Sequence, residues 1–436
     1  MTVSETRSTP ADVPVAEPPA DPGDGGCPPD NGGVSRQGQR VRLGLRDRIP
    51  RMGLREYWYP VVADGKVPRR KPVRRTVVGD DLVLFRGKDG RVAALSNWCS
   101  HRNSSLAMGK CHFAGTVTCP YHGLTFDTTG KAVAFLGEGR DSTFCDKPNS
   151  AIRSYPTQTL KGLVFVWMGD GEPAPIENDL PPQFFDDRAL IQFSEDEWQS
   201  NWRVSLENLN DAHVFFVHRN SIELLIQDRR GLQLFLGMGP HRPATRIVNG
   251  RALVFENPRF FDYMDTDQAR KTAPRTEFQE VYPELGGAKW PKTRFRLYLA
   301  TVMGVIRRLR PKMDWLITDE EWTGVHLPCT FQVDYQSHIY SRAVTPIDAE
   351  TSRIFYYYTT FPGSDRRRVF NRLVFHLYYD WKQHRNFSGQ DQRIVENVEY
   401  ENPKEVFSGS DAFPLAWRKF VIEYARTSPT TGRAGE

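Results

Sequence analysis

The chain has 436 residues, 39% hydrophobic and 12% aromatic, enough for a sizeable core and too rich in rings for disorder over most of its length. Its 58 Lys and Arg against 53 Asp and Glu leave a charge of +5, which gives no reason to expect a nucleic-acid partner. Six cysteines in this length do not make a disulfide scaffold, and no apolar run nears the ~20 residues of a membrane helix, so a cytoplasmic protein with no membrane partner is expected.

Residues 1–45 read as a disordered tail. The first 30 carry seven prolines, and no aromatic precedes Tyr57, so burial cannot offset the entropy of ordering. Cys27 in this tail is read as a bystander. Residues 55–170 read as a small all-β domain. Asp81–Arg86 and Arg91–Leu95 flank an Asp-Gly turn and predict a hairpin. Thr116–Thr118 and Leu124–Phe126 predict further strands, and Gly162–Met168 a closing buried strand. A proline-rich connector, Glu172–Pro182, leads to a second domain over 185–425. There the pattern mixes helix (Trp202–Val217, Arg367–Val398) with strand (Arg251–Phe255, Arg353–Tyr358), which predicts an α+β fold. The aromatic run Phe355–Tyr358 and the run Gly324–Phe331 are read as sheet core in preference to pocket lining.

The sharpest signal is Cys99-Ser100-His101 followed, after seventeen residues, by Cys119-Pro120-Tyr121-His122. Two sulfur and two imidazole donors suit zinc or an iron–sulfur cluster. Zinc fingers usually pair like with like, whereas each loop here mixes Cys and His. Two loops of that kind can give both Cys to one iron and both His to the other. Cys111 and Cys145 lack ligand spacing and are expected to be small buried residues.

The spacing Cys-x-His-x17-Cys-x-x-His, with Asn97-Trp98 before it and Gly123-Leu124-Thr125-Phe126-Asp127 after it, resembles the Rieske domain of bacterial ring-hydroxylating oxygenases. The resemblance implies an N-terminal all-β domain holding a [2Fe-2S] cluster on Cys99, His101, Cys119 and His122. It also implies a larger, helix-grip-like catalytic domain of antiparallel sheet and helices. Tyr121 stands where respiratory Rieske proteins have a disulfide cysteine. Leu124 stands where the oxygenases commonly have Trp, a departure expected to alter packing more than cluster binding.

Such oxygenases carry a second metal. His213 and His218 stand five residues apart, about 140° on an ideal helix, so convergence on one ion requires a distorted or ending helix. The resemblance makes them, with Asp391 on a late helix, the two-His, one-carboxylate set of a mononuclear non-haem Fe(II); Glu396 is the rival carboxylate. It also implies a residue joining this iron to a neighbouring subunit's cluster, usually Asp three before the first His. That position is Asn210, with Asp211 next to it, and either fills the role.

The resemblance then implies a terminal oxygenase that uses O2 to hydroxylate, demethylate or oxidatively cyclise a medium-sized apolar or aromatic molecule. Electrons would leave the cluster through His122. It implies a head-to-tail homotrimer and a separate NAD(P)H reductase, often acting through a small ferredoxin, since neither a Gly-x-Gly-x-x-Gly nucleotide loop nor a plant-type ferredoxin cysteine run is present. Two alternatives stand beside it: a Rieske electron-transfer protein with no second iron, and a zinc-stabilised binding module. The discriminator is whether His213, His218 and Asp391 converge.

Overall fold

The computed structural model describes residues 44–208, 213, 217–218, 245–255, 302, 324–334, 338–399, 405–408 and 411–426. Cys27, Asn210 and Asp211 lie outside them.

Ten short strands form the first part: β1 (Trp58–Ala63), β2 (Val73–Val77), β3 (Asp80–Arg86), β4 (Val92–Ser96), β5 (Thr116–Thr118), β6 (Leu124–Asp127), β7 (Ala132–Phe135), β8 (Ser154–Tyr155), β9 (Thr157–Leu160) and β10 (Leu163–Trp167). They make three antiparallel sheets, ordered β1-β10-β9, β2-β3-β4-β8 and β5-β6-β7. The Asp-Gly turn closes the β3–β4 hairpin as its sequence predicts, with Leu84 opposite Ala94. Valine-rich β10 is buried along its whole length. A compact core of Val83, Phe85, Leu95, Leu106, Val117, Leu124, Phe126 and Phe135 also encloses Cys99 and Cys119. Leu124 thus fills this core from β6. Cys111 and Cys145 differ from expectation: both are only half-buried, at the margin of the same cluster, because Cys111 sits in a loop and Cys145 in a 3-10 turn on its rim.

The second part is a seven-stranded antiparallel sheet with helices. Its elements are β11 (Leu190–Trp198), α1 (Trp202–Glu207), β12 (Thr245–Val248), β13 (Ala252–Phe255), β14 (Gly324–His326), β15 (Thr330–Asp334), β16 (Ile339–Pro346), β17 (Ser352–Thr360), α2 (Asp365–Val374), α3 (Ser388–Val395) and α4 (Ala412–Tyr424). The strand order is β11-β17-β16-β15-β14-β13-β12. β16 and β17 are buried at every position, as central strands covered on both faces must be. The alternation of a strand divides the aromatic run of β17. Tyr356 stacks on His384 and Tyr358 on Tyr379, both in the helix that covers one face. Tyr357 points the other way, edge-on to Phe184. These rings, with Val325, Leu327, Cys329 and Phe331, are sheet core.

α2 and α3 are joined by a thirteen-residue π-helical segment, Phe375–Phe387. The sequence pattern predicts one helix here, and the chain is helical throughout. The wider i→i+5 winding nevertheless changes the direction in which residues beyond it point, and such segments are frequent at functional sites. His384, within it, is buried, with Nδ1 against the Asp380 carboxylate (2.9 Å) and the Ser194 hydroxyl. Burial lowers its pKa from the ordinary 6.5, outweighing the opposite pull of Asp380. The unfolded chain therefore takes up this proton at higher pH than the folded one does. Stability present above about pH 6.5 should be lost as pH falls below it, by at most about 1.4 kcal/mol per pH unit. Thermal unfolding between pH 7.5 and 5.5 should show this slope, and His384→Gln should flatten it.

Candidate metal centres

The two Cys/His loops are built alike. In the first, the Cys99 N–H donates to the Ser104 carbonyl (3.0 Å) and the Asn103 N–H to the Cys99 carbonyl (2.8 Å). In the second, Cys119 N–H donates to Leu124 (2.8 Å) and Gly123 N–H to Cys119 (3.1 Å). The fifth residue of each loop takes a positive φ, 51° at Asn103 and 74° at Gly123, the left-handed conformation that glycine and asparagine tolerate best. At Gly123 a Cβ would also stand 2.8 Å from Cβ of Leu136. Buried Asn97 holds the first loop, its Oδ1 accepting from the Ser105 hydroxyl (3.1 Å) and the Ala107 N–H (2.9 Å).

This geometry brings Cys99, His101, Cys119 and His122 together. The two thiols are hydrogen-bonded to each other, which favours a thiolate at Cys119 at the expense of Cys99. Backbone N–H groups of His101 and Arg102 point at the Cys99 sulfur, and those of Tyr121 and His122 at the Cys119 sulfur, with the Ser104 hydroxyl. The His101 and His122 rings lie edge to face, centroids 4.6 Å apart. Nδ1 of His101 is buried with no hydrogen-bond partner, an arrangement costly to leave unmade unless the nitrogen serves as a ligand. Paired sulfurs within amide dipoles and paired imidazoles beside them fit a two-iron cluster with two Cys and two His. The surroundings of the two rings differ. Phe135 and Phe144 enclose His101, while exposed Tyr121 covers His122 at 3.8 Å.

In the second part, Asn201 caps α1 by accepting the Arg203 N–H (3.0 Å). Arg203 is buried and donates to the carbonyls of Arg46 and Ile49, and burial lowers its pKa to about 10. Glu207 is clamped by Nε and Nη2 of Arg418 on α4 (2.8 and 2.7 Å). Trp202 packs edge-on to Trp417 of α4. The segment leading to the histidines is thus tied down at its start.

His213, His218 and Asp391 form a group of metal-binding side chains whose donor atoms lie within 4.8 Å of one another. Nε2 of each imidazole is 3.0 Å from Oδ1 of Asp391. Two donors about 2.1 Å from one metal and at right angles to each other would stand about 3 Å apart. His218 is 1% exposed and stacks on Phe387 at 3.6 Å. Its Nδ1 lies 3.1 Å from Oε1 of Gln390, and its Nε2 faces Asp391. Despite its 3.0 Å approach, this Nε2 lacks hydrogen-bonding geometry. The orphaned nitrogen fits a metal ligand. Burial works to raise the Asp391 pKa, but His218 and His213 outweigh it and hold the carboxyl well below the usual range. Glu396 is elsewhere, accepting from the Gln199 backbone and the Gln392 side chain. Sequence reasoning missed Gln390, Phe387 and Arg342 as neighbours of this centre. Only Gln390, adjacent to Asp391, carried a local signal.

Comparison with known proteins matches residues 57–156 to the Rieske [2Fe-2S] domain and residues 167–259 to the homotrimeric ring hydroxylase domain. The terminal oxygenase component of carbazole 1,9a-dioxygenase from Sphingomonas sp. is 33% identical over 66% of this chain and 72% of its own length. The chain belongs to the Rieske non-haem iron oxygenases. The corresponding component from Metapseudomonas resinovorans is 32% identical over 46% of this chain, and the alignment spans only 51% of that relative. A solved complex of oxygenase and ferredoxin in carbazole 1,9a-dioxygenase superposes with a TM-score of 0.63 at 21% identity, covering 88% of this chain and 94% of that one. At that identity the likeness speaks for the fold. Membership of a Rieske oxygenase family that joins both domains favours the enzyme over an electron-transfer protein with no second iron, and over a zinc module. Among the described residues no helix is long and apolar enough to cross a membrane.

Proposed function

We propose that the chain is a terminal oxygenase whose cluster is held by Cys99, His101, Cys119 and His122 in a domain over 55–170. In this reading His213, His218 and Asp391 hold one Fe(II) in a domain over 185–425. The observation that carries it is the meeting of His213, part-buried, and buried Asp391, 178 residues apart in sequence, at 3.0 Å. When bound, the two groups supply one-electron delivery and dioxygen activation. The chain's own part is positional. Gln390 holds His218 through Nδ1, Phe387 fixes its ring plane, and Asp391 supplies the carboxylate ligand. Exposed Tyr121 over His122 and the phenylalanines around His101 support electron exit on the His122 side.

The substrate proposed is a medium-sized aromatic or largely apolar molecule, following the carbazole relatives. The partners proposed are two further copies in a closed head-to-tail ring, and an NAD(P)H reductase acting through a ferredoxin. Asp211 or Asn210 is assigned the bridge between neighbouring centres. The cytoplasm, where NAD(P)H is regenerated, is the proposed location. The test is an anaerobic metal and sulfide count on the purified protein, paired with substrate-coupled oxygen uptake. About three irons and about two sulfides per chain are expected, with uptake stimulated by an aromatic substrate. A preparation with fully loaded cluster and no further iron would overturn the proposal.

A further inference from the structure

We propose that Arg342 is a positioning residue that restricts Asp391 to binding the metal through one oxygen. The inference rests on the iron reading above and deepens it. Asp391 divides its two oxygens between different neighbours. Oδ1 faces both imidazoles at 3.0 Å, whereas Oδ2 lies 3.4 Å from Nη1 of Arg342. Among the described residues Arg342 is the one arginine or lysine paired with Asp391.

The guanidinium is held from several sides. Arg342 comes from the middle of β16, opposite Tyr356 of β17, and its side chain is 1% exposed. Its charged end lies over the Trp198 ring at 4.8 Å, and Nη2 donates to the Ser205 carbonyl at 3.5 Å. Nε is buried with no hydrogen-bond partner. A cation placed this deeply with an incomplete set of partners is costly unless a charge compensates it. Here the compensating carboxylate is the iron ligand. The 3.4 Å contact is long for a hydrogen bond, but away from water the attraction over that distance is much less screened than at the surface.

The consequence concerns coordination number. A carboxylate with both oxygens free can chelate a ferrous ion and fill a position that an oxygen-activating facial triad leaves open. Arg342 engages the second oxygen and so keeps that position available. A purely structural buried arginine would affect stability alone.

The experiment compares the parent with Arg342→Gln and Arg342→Lys, each loaded anaerobically with Fe(II). Readouts are iron and sulfide content, the cluster EPR signal, and near-infrared magnetic circular dichroism of the ferrous site. The Gln variant is expected to keep its cluster and iron, and to shift the ferrous ligand-field bands to a higher coordination number. Product formation should fall roughly 10- to 100-fold, with partial recovery in the Lys variant, which keeps the charge. Iron-loaded Arg342→Gln with the parent's bands and turnover would refute the role. A second measurement needs no variant and covers the case in which Gln fails to fold. Isotope-edited infrared spectra of the parent labelled at aspartate should show, on iron addition, the wide carboxylate splitting of one-oxygen binding. A narrow chelate splitting overturns the inference. A parent that takes up no iron beyond its cluster instead overturns the metal reading on which it rests.

Discussion

Asp391→Ala is expected to leave the cluster's visible spectrum and reduced-state EPR signal unchanged while product formation disappears. The two effects separate because the residue touches only one centre. Asp391 contacts His213, His218 and Arg342, whereas the cluster loops close over a core drawn from β3 to β7. Alanine suits the helix at this position, but it strands the buried Arg342 cation, and losing one partner of a buried pair costs about 3–5 kcal/mol. The measurement therefore belongs well below the unfolding midpoint, with Asp391→Asn as the isosteric control. Iron should fall by about one per chain from about three, and sulfide should not change. Turnover preserved in either variant would remove Asp391 from the ligand set.

Cys119→Ser should give the complementary result. A serine oxygen is a poor substitute for thiolate at an iron–sulfur centre. Its shorter bond to Cβ also misplaces the acceptor for the Tyr121 and His122 amides and the Ser104 hydroxyl, which are aimed at this sulfur. The variant should be colourless, lack acid-labile sulfide and show no product from reductase-supplied electrons, yet keep about one iron per chain at the other centre. A normal cluster signal would show that the first motif had been misread. Together the variants test whether the chain houses two independent centres, since each should lose one and keep the other.

Much of this was legible in the sequence because the information is local. A Cys-x-His turn carries its own backbone demands, and the left-handed fifth residues, Asn103 and Gly123, are the types such loops tolerate. The β3–β4 hairpin follows from alternating apolar residues about an Asp-Gly turn, and the buried β10 from a short apolar run. The five-residue histidine spacing was informative in a negative way: it signalled that an ideal helix would not suffice. The misplaced depth of Cys111 and Cys145 has an equally simple origin. A residue's average burial says little about a connecting segment whose distance from the core is set by the strands around it.

What the sequence determined by itself was therefore the chemistry available: two soft-donor loops, a histidine pair and a late carboxylate, in an all-β part followed by an α+β part. The tertiary structure alone decided which of these share a centre and how they are oriented. Asp391 meets the histidines from α3, and Glu396, five residues on and about 140° around the same helix, meets Gln199 and Gln392 instead. Arg342 enters the site from a strand 49 residues earlier, in a run of buried positions where nothing local distinguishes a counterion from a packing residue. Pairings of this kind depend on long-range register and on the field inside a buried site, which no short stretch of chain encodes.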